Sequence, residues 1–95
     1  MQDLTYLDSV LENEQRLPLE VRRQLQSTSP WQRSEAVDYI SYLPWNVAGP
    51  ILQAMAENDP HWDVRLHVAN ALQHYAPELS NPILERMART DRDAG

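Results

Sequence analysis

Ninety-five residues without a cysteine, carrying a net charge of −6, describe one small domain with a modest core. They exclude a disulfide framework, a thiolate zinc site and a cysteine nucleophile. Fourteen acidic residues against eight basic ones repel nucleic acid and anionic lipid, so neither is an expected partner.

In chain order, apolar residues recur with helical spacing. Leu4, Leu7, Val10 and Leu11 predict a first helix within residues 1–16, which would cap the N-terminal side and turn Asp8 and Glu12 to solvent. Val21 and Leu25 anchor a short second helix, and Ala36, Val37, Ile40 and Leu43 a third. Ile51, Leu52 and Met55 mark a fourth, Val64, Val68, Ala71, Leu72 and Tyr75 a fifth, and Ile83, Leu84 and Met87 a sixth.

Proline suits the first turn of a helix and not its interior, so Pro18, Pro30, Pro50, Pro60 and Pro82 are read as helix starts, with Pro44 and Pro77 in loops. Ser29-Pro30-Trp31-Gln32 combines a capping serine, a proline at the first helical position and a glutamine three residues after the cap. Asp59-Pro60 and Asn81-Pro82 read as similar openings. No run alternates with a strand's period of two, so the expected fold class is all-α with about six helices, and residues 92–95 are expected to fray. No basic start precedes an apolar run, and no stretch approaches the roughly 18 apolar residues of a membrane span, which predicts a soluble, cytoplasmic protein.

The chain also resembles itself at an offset of 32 residues. Arg33 answers Arg65, Pro50-Ile51-Leu52 answers Pro82-Ile83-Leu84, and Met55/Met87, Ala56/Ala88 and Asp59/Asp91 also match. These are seven identities where ordinary residue usage gives about two. Such a period predicts a short α-solenoid of two to three helical hairpins filling residues 17–91 within a single domain over 1–95.

At Asp59-Pro60-His61-Trp62-Asp63-Val64-Arg65, followed by Val68-Ala69, Ala71 and Leu72, the chain resembles HEAT-like repeats, and Pro50-Ile51-Leu52-Gln53-Ala54-Met55-Ala56 resembles the outer helix of such a repeat. The resemblance extends over residues 18 to 91 and is strongest over 49 to 76. Ser27, where an aspartate would precede Arg33, and Tyr39, in place of a small residue, depart from it. It implies convex helices starting near Pro18, Pro50 and Pro82 and concave ones near Pro30 and Pro60. It also implies a ladder between neighbouring repeats, built from an aspartate and the arginine six residues on; here only Asp59 and Arg65 supply both members, with Arg33 and Asp91 as the remaining rungs. All eight cations are arginine, a bias that a GC-rich bacterial genome produces and that suits planar guanidinium forks on carboxylates. Asp59 as a mere helix cap, with a solvated Arg65, is the alternative.

If the apolar side of the fifth helix faces the core, His67, Asn70 and His74 point away from it, and the same rotation in the preceding unit exposes Glu35, Asp38 and Tyr42. Together they predict a polar–aromatic ridge for a partner protein, against the plainer reading of two wet helix faces. Trp31 and Trp62, in first turns, are expected to seal the repeat stack, and Trp45, in a loop beside Pro44, to stand out as an exposed anchor.

No catalytic residue, metal site or cofactor is expected. His67 and His74 are seven residues apart, which is about 10 Å along a helix and too far to chelate one ion together. No glycine-rich phosphate loop occurs, and no serine has a histidine and an acid at a recognisable spacing.

The expected function is a non-catalytic adaptor or assembly factor that holds a protein on the inner-helix ridge, its partner presenting a basic or helical segment. Resemblance to the HEAT-like repeats of phycobilisome bilin lyases implies the alternative, a lyase-related or other cofactor-maturation subunit. At the C-terminal helix two readings stay open: Glu85, Arg86 and Arg89 form a polar cap, or the chain forms a homodimer there.

Overall fold

A computed structural model describes residues 5–12 and 17–90. Those residues form a short 3-10 turn at Thr5–Leu7 and six α-helices: α1 (Asp8–Glu12), α2 (Leu19–Leu25), α3 (Pro30–Ile40), α4 (Trp45–Asn58), α5 (Trp62–Leu72) and α6 (Pro77–Thr90). The described residues contain no strand, so the fold is all-helical. Leu4, Asp91 and residues 92–95 lie outside the described residues.

The helix bounds themselves repeat at 32 residues. Adding that offset to both ends of α3 gives both ends of α5, and the same operation takes α4 to α6. The turns follow suit: Tyr42 and Leu43 donate their amides to the carbonyls of Tyr39 and Ile40, and His74 and Tyr75 do the same to Ala71 and Leu72. Two helix–turn–helix segments with equal bounds are therefore built from largely different residues.

Why these segments are helical is visible at their starts. Ser29 has an extended backbone and its Oγ accepts from the Gln32 amide at 3.5 Å, with Pro30 pre-set at the first helical position. The prolines at 50 and 82 behave differently from the expectation. Both lie inside helices, at the sixth residue of α4 and of α6, and the true starts are Trp45 after Pro44 and Pro77 after Ala76. A proline there leaves the carbonyl four residues back without its usual donor, and that residue, Asn46 or Glu78, is exposed where water can serve it. Asp59-Pro60 does not open α5 either: Asp59 ends α4, and His61 caps α5 by accepting the Asp63 amide on Nδ1 at 3.1 Å. Leu43 and Tyr75, expected within helices, fall in the turns after α3 and α5.

α3 packs chiefly against α2 and α5, and α4 against α5, α6 and the N-terminal segment. Leu7 and Leu11 reach the core from the N-terminal segment, Leu17, Val21 and Leu25 from the region of α2, and Ile40, Leu52, Met55, Val68 and Leu72 fill its centre. Each such side chain contributes about 1.5–3 kcal/mol by leaving water.

Trp45, expected as an exposed loop anchor, is instead half-buried as the first residue of α4. Its indole packs against Gly49, where a Cβ would stand 2.7 Å from the ring. From there it meets the Tyr75 ring edge-on at 5.1 Å. Trp31 and Trp62, expected to seal the stack, are the exposed ones, so the tryptophan roles are reversed.

Candidate partner-binding face

Beneath the face lies a polar junction. Arg33 is fully buried, and its Nε and Nη2 donate to the two carboxylate oxygens of Asp59 at 2.9 and 3.0 Å, while Nη1 donates to the Ser27 carbonyl. Asp59 also accepts from the Tyr6 hydroxyl at 3.1 Å and from the His61 amide at 3.0 Å. Burial, reinforced by the Asp59 charge, pushes the Tyr6 phenol well above its ordinary pKa.

The Arg33–Asp59 pair joins the arginine of one helix pair to the aspartate of the next, which is the arrangement a ladder between neighbouring units implies. Arg65 donates through Nη1 to the backbone carbonyl of Asp59 at 2.7 Å, while Arg33, 26 residues earlier, donates two bonds to that residue's carboxylate. The repeat unit is thus an arginine that holds the carbonyl six residues before it, Ser27 for Arg33 and Asp59 for Arg65. By the same offset Asp91 stands to Arg65 as Asp59 stands to Arg33, but Asp91 lies outside the described residues.

A second tie crosses the hairpins. The Tyr75 hydroxyl donates to the Leu43 carbonyl at 2.6 Å and, at 3.2 Å, shares the Ile40 carbonyl with the Leu43 amide, so the turn after α5 is bonded to the turn after α3. Burial raises the Tyr75 pKa.

With α3 and α5 fixed side by side, their outward residues form one surface. Trp31, Glu35, Asp38 and Tyr42 follow one another at steps of four, three and four, which is a single line along α3 and its turn. All four are exposed, Trp31 at 73% and Tyr42 at 82% of full accessibility. The parallel line from α5 is Asp63, His67, Asn70 and His74.

The two lines touch. Asp38 accepts from Nδ1 of His67 at 3.1 Å, and Nε2 of the same ring lies 3.8 Å from Asp63. The Tyr42 and His74 rings are 6.2 Å apart and tilted by 57°. Glu35 and Asn70 stand exposed on either side. Six of the seven residues expected at the site, Glu35, Asp38, Tyr42, His67, Asn70 and His74, therefore share one face, and Trp45 is absent from it. Trp31 and Asp63 belong to the face but were not among those expected; their spacing from Glu35 and His67 was the available signal.

Along α3 and its turn the exposed rings of Trp31 and Tyr42 flank the carboxylates of Glu35 and Asp38, and a carboxylate–imidazole bond joins α3 to α5. Among the described residues no group of three or more histidine or acidic side chains could hold a metal ion. No helix among them is long and apolar enough to cross a membrane. No protein-family model, curated protein or solved structure matches the chain.

Proposed function

We propose that this chain is a short α-solenoid of HEAT-like hairpins that binds a partner protein on the α3–α5 face, as an adaptor or assembly factor without catalysis of its own. The equal bounds of the two hairpins at a 32-residue offset support the array reading. The observation that carries the binding reading is the exposure of Trp31 and Tyr42 on the same line as Glu35 and Asp38, on helices whose other sides are buried. Leaving a large aromatic ring in water forgoes its burial energy, and such rings recover it when a partner covers them.

The partner's expected chemistry follows from the same line. Carboxylates flanked by aromatic faces favour arginine or lysine side chains, which gain both ion pairing and cation–π contact. A net charge of −6 draws a basic segment from a distance. Affinity capture with the intact chain, repeated with Tyr42→Ala/His74→Ala, tests the reading. Loss of the captured partner is expected, and equal recovery by the variant would refute the assignment of the face.

A further inference from the structure

The two hairpins agree in their bounds but not in what is covered. Ser34 is 4% exposed on α3, and its counterpart 32 residues on, Leu66, is 50% exposed on α5. Val37 and Leu52 are fully buried, whereas their counterparts Ala69 and Leu84 are only half-buried; Ala56 is buried and Ala88 exposed. The uncovered residues share an edge. Trp62, Leu66, Ala69 and Gln73 form one line along α5, and Leu84 and Ala88 lie one turn apart on α6.

The molecule itself shows what such an edge receives. The corresponding edge of α3–α4 is covered by α5–α6, which is tied to it by Tyr75 on the Ile40 and Leu43 carbonyls and by Arg86 on Glu57 of α4 at 3.0 Å. Arg86 points to α4 from the flank of α6 opposite Leu84, so the Leu84 flank faces away. Among the described residues no element covers it.

The six side chains of this edge carry no charge, while Glu85 stands exposed beside Leu84 and His61 stacks on Trp62. None of Trp62, Leu66, Ala69, Gln73, Leu84 and Ala88 is ionisable, in a chain where 23% of residues are charged. Two copies can therefore meet there without opposing their net charge at the contact, while the carboxylates of the α3–α5 face remain at a distance. Size is graded too. The large Trp62 and Leu66 occupy the first half of the α5 line and the smaller Ala69 and Gln73 the second, so an antiparallel partner of the same sequence lays large residues on small ones.

We propose that this edge is a homodimer interface, with α5 of one copy antiparallel to α5 of a second about a two-fold axis, and the α6 edges flanking them. The contact is isologous, since one patch serves both copies. It buries Leu66 against Ala69 of the second copy and gives the Trp62 indole N–H a partner in the Gln73 amide.

Sedimentation equilibrium of the intact chain over about 1 to 200 μM spans the affinities expected of a modest interface. The expected mass at the upper end is twice the 11.0 kDa of one chain, falling towards 11.0 kDa on dilution. Leu66→Glu and, separately, Trp62→Glu should each weaken association at least about tenfold, with helical circular dichroism unchanged because both positions are exposed. Tyr42→Ala, on the other face, should leave it unaltered. A single-chain mass across the whole range would overturn the proposal, as would a dimer that both edge variants leave intact.

Discussion

Two polar clusters in this molecule use the same residue types to opposite ends. At the junction, Arg33, Asp59 and Tyr6 meet with both oxygens of the carboxylate bonded and the guanidinium fully buried. On the α3–α5 face, Glu35, Asp38, Tyr42 and His74 are exposed, and among the described residues their side chains are engaged by the Asp38–His67 bond and a loose Tyr42–His74 ring contact. Water separates the two cases. Charge removed from water must find its partners inside the fold, whereas charge left in water remains free for an external one. The junction thus specifies how the hairpins sit, and the face is what that placement presents.

The comparison is broken most severely at the junction. Arg33→Ala leaves the Asp59 carboxylate buried without its main partner and should cost about 3–5 kcal/mol, read as a lower midpoint in urea unfolding. Replacing Asp59 as well should cost less than the sum of the two single changes, because the second removes a charge already left alone.

Tyr6→Phe is the next step down, expected to cost about 1.5–3 kcal/mol for a hydrogen bond to a charged acceptor. It also has a pH signature. The fold raises the Tyr6 pKa above the ordinary value of 10.0, so the contribution is fully present below pH 10 and drains away as the solution becomes more alkaline. The stability curve of Tyr6→Phe should fall less steeply than the wild type above that pH, and parallel curves would contradict the assignment.

Gly49→Ala adds a methyl group where the Trp45 ring already lies, for an expected loss of about 1–3 kcal/mol, with a change in tryptophan emission as the indole is displaced. Ser34→Ala is the smallest effect. The Ser34 hydroxyl is buried without a hydrogen-bond partner, so its removal should be neutral or stabilising by up to about 1 kcal/mol. A clear loss of stability would show that the hydroxyl is bonded after all.

Much of the fold was legible in the sequence because helical periodicity reports burial directly. Val21, Val37, Ile40, Leu52, Met55, Val64, Val68 and Leu72 were read from spacing and are all buried. The boundaries of α4 and α6 were misread because a proline beyond the first turn costs a hydrogen bond rather than a helix, and nothing local to Pro50 or Pro82 distinguishes the two cases.

The fate of each tryptophan depended on a neighbour. Trp45 is drawn down by Gly49, which leaves room for the ring, and by Tyr75, thirty residues away in sequence; Trp31 has no such recess. The pairing of Arg33 with Asp59 spans 26 residues, beyond the reach of any spacing rule within one helix, and was legible only through the ladder between units that the resemblance implies. The outward line on α3 was only partly read, with Trp31 assigned to packing although it shares the spacing of Glu35, Asp38 and Tyr42.

The most direct test of the central claim sets stability against binding in one variant. Tyr42→Ala/His74→Ala should keep the wild-type unfolding midpoint to within about 0.5 kcal/mol, while losing the partner recovered by affinity capture. Undiminished capture at unchanged stability would contradict the account, since these exposed rings would then serve no recognition.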